Sequence, residues 1–162
     1  MEFAELAKKM ESVSETFQET ESARLDYWME SVVRECDRVR GDFAPEPVHD
    51  LRVALRRCRS MADGYMAFDP HPAWRQMKSE GRRLFQQLGA LRDTQVMEDW
   101  IQQLAPSEDA AYSALSLHLS ELGSRLKESA AEAVRDFNRK KWISWTRLVS
   151  ARARRLPPES LA

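Results

Sequence analysis

The sequence predicts an all-α protein, an antiparallel helical bundle with an extra helix at its N-terminal end. Three observations lead there. Apolar residues recur three and four apart along nearly the whole chain, the spacing of helices that bury one stripe. Helix breakers are few, five Gly and seven Pro in 162 residues, and charged residues make up 31%, a composition that suits helices. No segment alternates apolar and polar residues as a half-buried strand does. A chain of this length makes one domain, or one and a half small ones. It can bury about 70% of its unfolded surface and needs no staples.

Each element has its own signals. In residues 2–19, Phe3, Leu6, Met10, Val13 and Phe17 form the seam of a helix pair. We assign residues 1–21 to an amphipathic arm, 22–156 to the bundle and 157–162 to a tail. Residues 22–40 put Leu25, Trp28, Val32, Cys36 and Val39 on one stripe. Either Thr20 or Ser22 caps a new helix there, or one long helix bends. Gly41 to Pro47 reads as a loop, followed by a basic helix from Pro47 to Ala67. The Pro spacing of Asp69-Pro70-His71-Pro72 marks a turn with His71 exposed. Residues 73–88 form a helix with Trp74, Met77, Gly81, Leu84, Phe85 and Leu88 as its stripe, ended by Gly89. Asp93 is an N-cap for the helix of Val96, Met97, Trp100, Ile101 and Leu104. A long helix from Ser107 to about Asn138 turns Leu115, Leu119, Leu122, Leu126, Ala133 and Phe137 to the core. His118 and Arg125 take structural places on its shoulder. Residues 139–155 are basic, with Trp142, Ile143, Trp145, Leu148 and Val149 between the cations.

The net charge of −1 hides a segregation. Residues 47–92 carry nine Lys/Arg against four Asp/Glu, and residues 135–162 carry eight against two. Residues 1–46 and 93–134 are acidic, with six against twelve and two against eight. Two basic segments therefore alternate with acidic ones. Cys36 and Cys58 both fall on apolar stripes and read as reduced core thiols of a cytoplasmic protein. The acidic start has no apolar core of a signal peptide, and no stretch approaches the length of a membrane span.

The most informative stretch is the basic helix. At about 100° per residue, His49, Arg52, Arg56 and Arg59 fall within an arc of roughly 80°. Leu51, Ala54, Leu55, Cys58, Met61, Ala62 and Tyr65 fall on the other side. Aligned cations repel one another, and a polyanion lying along them relieves that repulsion. The alternative is a plain solvated face, although such faces tend to mix signs. On the next helix Lys78 and Arg82, with Arg75 beside them, form a basic shoulder. There is no Gly-rich phosphate loop, no Cys pair at metal spacing and no recognisable nucleophile context. A kinase or phosphohydrolase needs acids that hold metal ions near the phosphate, and the basic stretch lacks them. The residues thus favour binding a polyanion over reacting with it. We expect no enzymatic activity, no cofactor and no bound metal.

The run Val48-His49-Asp50-Leu51-Arg52-Val53-Ala54-Leu55-Arg56-Arg57-Cys58-Arg59 resembles the opening signature of the CHAD family, the conserved-histidine α-helical domain. Leu88-Gly89-Ala90-Leu91-Arg92-Asp93, followed by Val96, resembles that family's second signature, at a fitting distance. The resemblance covers roughly residues 22–156. It implies a four-helix-bundle half of a CHAD domain, whose two halves flank a basic channel. It also implies non-catalytic binding of inorganic polyphosphate, with CYTH-type or other polyphosphate-related proteins as partners. By position, the resemblance assigns polyphosphate contacts to His49, Arg52, Arg56, Arg57 and Arg59 on one helix. Lys78, Arg82 and Arg83 come from the next, and Arg92 from the loop after it. Arg57 and Arg83 lie off the computed arcs. A second His-x-x-Arg helix is not found, since Glu121 follows His118 at three and Trp74 follows His71. A two-fold homodimer that sets two rows across one channel is therefore expected. Its contact would be the N-terminal seam and the row Trp142, Trp145, Leu148. The competing functions are a nucleic-acid binder, which wants exposed aromatics for stacking, and a plain helical interaction domain.

Overall fold

The computed structural model describes residues 24–104 and 110–156. These form helices throughout and no strand: α1 (residues 24–39), α2 (Pro45–Met66), α3 (Pro72–Gln87), α4 (Gly89–Leu104), α5 (Ala110–Asp136) and α6 (Arg139–Ala153). The N-terminal seam lies outside the described residues. None of the described helices is long and apolar enough to cross a membrane.

The core follows the helical spacing. Leu25, Met29, Val32, Cys36 and Val39 bury one stripe of α1, and Val48, Leu51, Leu55, Cys58, Ala62 and Tyr65 one stripe of α2. Trp74, Met77 and Leu84 join them from α3. Burial pushes the Cys36 thiol up to about 12 and raises that of Cys58 as well, so both stay protonated and inert.

At the centre lies Trp142 of α6, fully buried. Its indole N–H donates to the Met29 carbonyl at 3.0 Å, and its ring meets Phe137 and Trp145 at centroid distances of 5.4 and 6.5 Å. Gly81 lets α3 come this close, because a Cβ there stands 3.3 Å from the Trp142 ring. Trp142 and Trp145 are thus core residues and not the exposed contact row expected from the sequence. Their spacing fits burial and exposure equally well, and only α6's docking against α1 and α3 decides between them.

Several local expectations are corrected. His71 is no exposed loop residue: it caps α3, half-buried, with Nδ1 accepting from the Ala73 N–H at 3.2 Å. Gly89 opens α4 instead of ending a helix, so Asp93 lies inside α4 and caps nothing. Only Leu88 separates the helical bounds of α3 and α4, an αR residue that turns the chain with no loop between. Asn138 starts α6, its side chain accepting from Lys141 N–H at 3.0 Å. Beyond the first two turns of α4, and before Leu119 of α5, no described residue is buried. Met97, Trp100, Leu104, Leu115 and Leu117 are exposed there, because these turns extend past the end of the bundle. His118 and Arg125 are exposed too.

A buried clasp ties the α2–α3 turn to α6. Asp69 accepts two bonds from Arg152, at 2.6 Å each, and one from the Trp74 indole at 2.8 Å. The Arg152 guanidinium is the main reason that the Asp69 carboxyl is held at about 2, below the ordinary carboxylate range.

Candidate polyanion-binding face

Two prolines start α2, with Pro in the first turn where a missing N–H costs nothing. The helix then runs its apolar stripe into the core and leaves the cation arc on the flank that meets α3. Arg52 bonds the Phe85 carbonyl and Asp63 pairs with Lys78. These two contacts set α2 and α3 antiparallel, and Arg56, Arg59 and Arg82 fall between them. Arg52, Arg59 and Lys78 thus lie along the α2–α3 seam, and helical spacing puts Arg56 on the arc of Arg52 and Arg59, and Arg82 one turn on from Lys78.

Phe85 organises this row. Arg52 donates to its carbonyl at 2.7 Å, one of the last carbonyls of α3, where the helix dipole favours a cation. The same guanidinium stands 4.0 Å from the Phe85 ring centroid, and that of Arg59 stands 5.8 Å away. Such cation–ring contacts contribute about 0.5–2 kcal/mol each. Two guanidinium planes are thereby fixed before any anion arrives. Phe85 was expected only as part of the apolar stripe; its position on the edge of that stripe is the signal that it faces α2's cations.

Burial lowers the pKa of Arg52, and the cations Arg92 and Arg56 push the same way against the pull of Asp93. A half-buried cation among cations is the state that an anion stabilises. Arg52, Arg56, Arg59 and Arg82 make no ion pair with a carboxylate among the described residues. Lys78 differs, since Asp63 neutralises it.

Arg57 and Arg83 lie elsewhere. One residue on from the row is 100° around the helix. Arg57 accordingly leans towards α1, 5.9 Å from the Trp28 ring. Arg83 bonds Glu80 at 2.7 Å and the Asp136 carbonyl at 3.4 Å, at the C-terminal end of α5. The Arg57 side holds a cleft of about 520 Å³ lined by Arg24, Tyr27, Trp28, Arg57, Ser60 and Met61. Tyr27 is 54% exposed and Trp100 60%. Exposed aromatics are thus present on the surface.

At its other end the row opens into a groove of about 540 Å³ between α2 and α4, lined by His49, Arg92 and Gln95 with Glu46, Glu98 and Asp99. Arg92 sits in the first turn of α4, not in a loop, and donates to the Pro45 carbonyl at 3.4 Å. His49 is exposed at the groove rim. Gln95 is a residue that sequence reasoning missed, because nothing in its spacing separates it from a surface glutamine. It is 6% exposed. Its Nε2 donates at 2.8 Å to the carbonyl of Phe43, a residue in the left-handed region at φ 53°. A carbonyl only accepts, so this bond fixes which way the amide points. The Gln95 Oε1 is then buried with no partner, which costs about 1–3 kcal/mol.

The CHAD domain family model matches residues 23–160. This chain belongs to the CHAD family. No curated protein and no solved structure matches it. Both stretches that resemble CHAD signatures lie on this face of the CHAD domain, the first along α2 and the second across the start of α4. Among the described residues, no group of three or more His, Cys, Asp or Glu is placed to hold a metal ion.

Proposed function

We propose that this CHAD domain is a non-catalytic, cytoplasmic binding module for inorganic polyphosphate, held along the α2–α3 seam. What supports the reading is that Arg52, Arg56, Arg59 and Arg82 make no ion pair with a carboxylate among the described residues, and that Phe85 braces Arg52 and Arg59. Arginine forks suit phosphate oxygens, and each charge-assisted bond contributes about 1.5–3 kcal/mol. His49 and Arg92 extend the contact surface at one end and Lys78 at the other. Arg57 and Arg83 fall outside it. CYTH-type or other polyphosphate-related proteins remain the proposed partners. A homodimer has less support than the sequence offered, since Trp142 and Trp145 are spent in the core.

A second reading, single-stranded nucleic acid, draws on the cleft where Tyr27 and Trp28 meet edge to face at 5.0 Å beside Arg57. Bases stack on such rings. Competition between polyphosphate and single-stranded RNA of equal charge separates the two. Displacement by polyphosphate at the lower concentration supports the first reading. Preference for RNA, lost in Tyr27→Ala, supports the second.

A further inference from the structure

We propose that a second copy of this chain covers the row Met97, Trp100 and Leu104, through a two-fold, antiparallel contact between the α4 helices. The spacing of three and four along this row reads in the sequence as a core stripe. In the structure no described residue buries it. Trp100 is 60% exposed, Leu104 81% and Met97 44%. The other sides of α4 are occupied. Leu91 and Gln95 are buried against the bundle, and Thr94 and Glu98 face Gly123 of α5. At about 100° per residue, the row lies more than about 90° around α4 from both of these sides. Side chains of this size leave roughly 80–150 Å² open at such exposures, so each copy carries an apolar patch of several hundred Å². Patches of that size mark contacts in soluble proteins. Two of them, with their polar rims, reach the roughly 1,000 Å² at which a specific interface begins.

The order of residues along α4 selects a second copy over another apolar partner. About the midpoint between Trp100 and Ile101 the row is its own complement. In an antiparallel pair built on that midpoint, Met97 of one copy meets Leu104 of the other, and Trp100 meets Ile101. The charges follow the same rule. Glu98 comes level with Gln103, and Asp99 with Gln102, so within this stretch no carboxylate is set against another. A two-fold contact of this kind closes on itself and stops at a dimer. It differs from the dimer expected from the sequence, because it uses neither the N-terminal seam nor the tryptophans of α6.

Sedimentation equilibrium of the full chain tests this. As concentration rises we expect a reversible monomer–dimer equilibrium. Trp100→Gln combined with Leu104→Gln should weaken it by about a hundredfold or more, because two anchors are lost on each copy. Leu117→Gln, at an exposed position of α5 off its α4-facing side, should leave it unchanged. A mixing experiment tests the register. Met97→Lys and Leu104→Glu should each weaken self-association. Mixed together they should form a dimer about tenfold tighter than either alone, since the new ammonium of one copy meets the new carboxylate of the other. A chain that stays monomeric at every concentration overturns the proposal. A dimer that survives Trp100→Gln with Leu104→Gln is held by another face, the Phe3 to Phe17 seam included, and overturns it as well. A mixed dimer no tighter than its parents overturns the antiparallel register. Should the double Gln variant fail to fold, the mixing experiment decides. None of these outcomes depends on an anion, so the polyphosphate reading stands or falls separately.

Discussion

The α2–α3 face and the α1–α6 face are both rich in arginine, and they use it in opposite ways. On α1, Arg34 and Arg38 meet Glu35, and Arg40 meets Asp37. On α6, Arg139 grips Asp37 with two bonds, Arg152 grips Asp69, and Arg154 reaches Asp26. These cations are paired with carboxylates, within α1 and its end or between helices. On the α2–α3 face the guanidiniums hold a ring and a carbonyl, which fix position without cancelling charge. The difference teaches that counting basic residues does not find an anion site. Arginines that are positioned but not neutralised do. In the basic segment after residue 135, Arg139, Arg152 and Arg154 are spent in this way.

The most direct way to break the comparison is to reverse charge on each face by the same amount. Arg56→Glu with Arg82→Glu should weaken polyphosphate binding by about a hundredfold or more, two charge-assisted bonds being lost. Arg34→Glu with Arg40→Glu changes net charge equally and should alter affinity by less than about threefold, since exposed charges farther away are screened. Titration calorimetry measures both. Equal losses would mean that net charge alone governs binding and that the α2–α3 row has no special standing.

Stability should show the mirror image. Asp69→Ala leaves Arg152 and the Trp74 indole without their acceptor and should cost about 2–3 kcal/mol. Arg56→Ala, on an exposed position outside the apolar stripe, should stay within about 0.5 kcal/mol. The clasp also predicts a pH dependence. The Asp69 carboxyl is held at about 2 against an ordinary 3.8, so its contribution is complete above the unfolded value. It is lost as pH falls through about 4 to 2. Asp69→Asn should flatten that acid limb in thermal melts. An unchanged limb would assign acid unfolding to other carboxylates.

Salt dependence sharpens the picture further. With about six phosphates contacted, log K should fall with log[salt] at a slope near −4, taking about −0.7 per contact, and Arg56→Ala should reduce the slope by one such unit. A flat response would remove the electrostatic account.

How much of this was legible in the sequence follows from which interactions are local. The helices and the cation arc depend on spacing within one segment, so periodicity found them, and it set Arg57 and Arg83 apart for the same reason. The resemblance supplied the family before any coordinates, while the contacts depend on how segments meet. The pairing of Lys78 with Asp63 depends on the register of α2 against α3. The buried Gln95 depends on where α4 meets the Phe43 loop. The exposure of Trp100 depends on α4 outrunning the bundle. None of these is written in any one helix. The Leu88 turn misled the reading of Arg92 and Asp93, because a Gly after a helix signals an end whether or not another helix starts at once.

The smallest expected effect has the opposite sign to the rest. Lys78 is the member of the row that behaves like the other face, because Asp63 already neutralises it. Both side chains remain partly open to solvent, 31% and 52% exposed, so the pair is worth only about 0.2–1 kcal/mol. A polyphosphate that reaches Lys78 must displace Asp63 and repel it at the same time. Asp63→Asn keeps the shape, removes that charge and frees the ammonium. Affinity should therefore rise by about 1.4- to fivefold, the exponential of that modest energy. The gain should vanish when Lys78→Ala is added, because it works through that ammonium. A gain that persists in the double variant would come from the general field of Asp63. No gain in either would place the end of the bound polymer before Lys78, at Arg59 and Arg82.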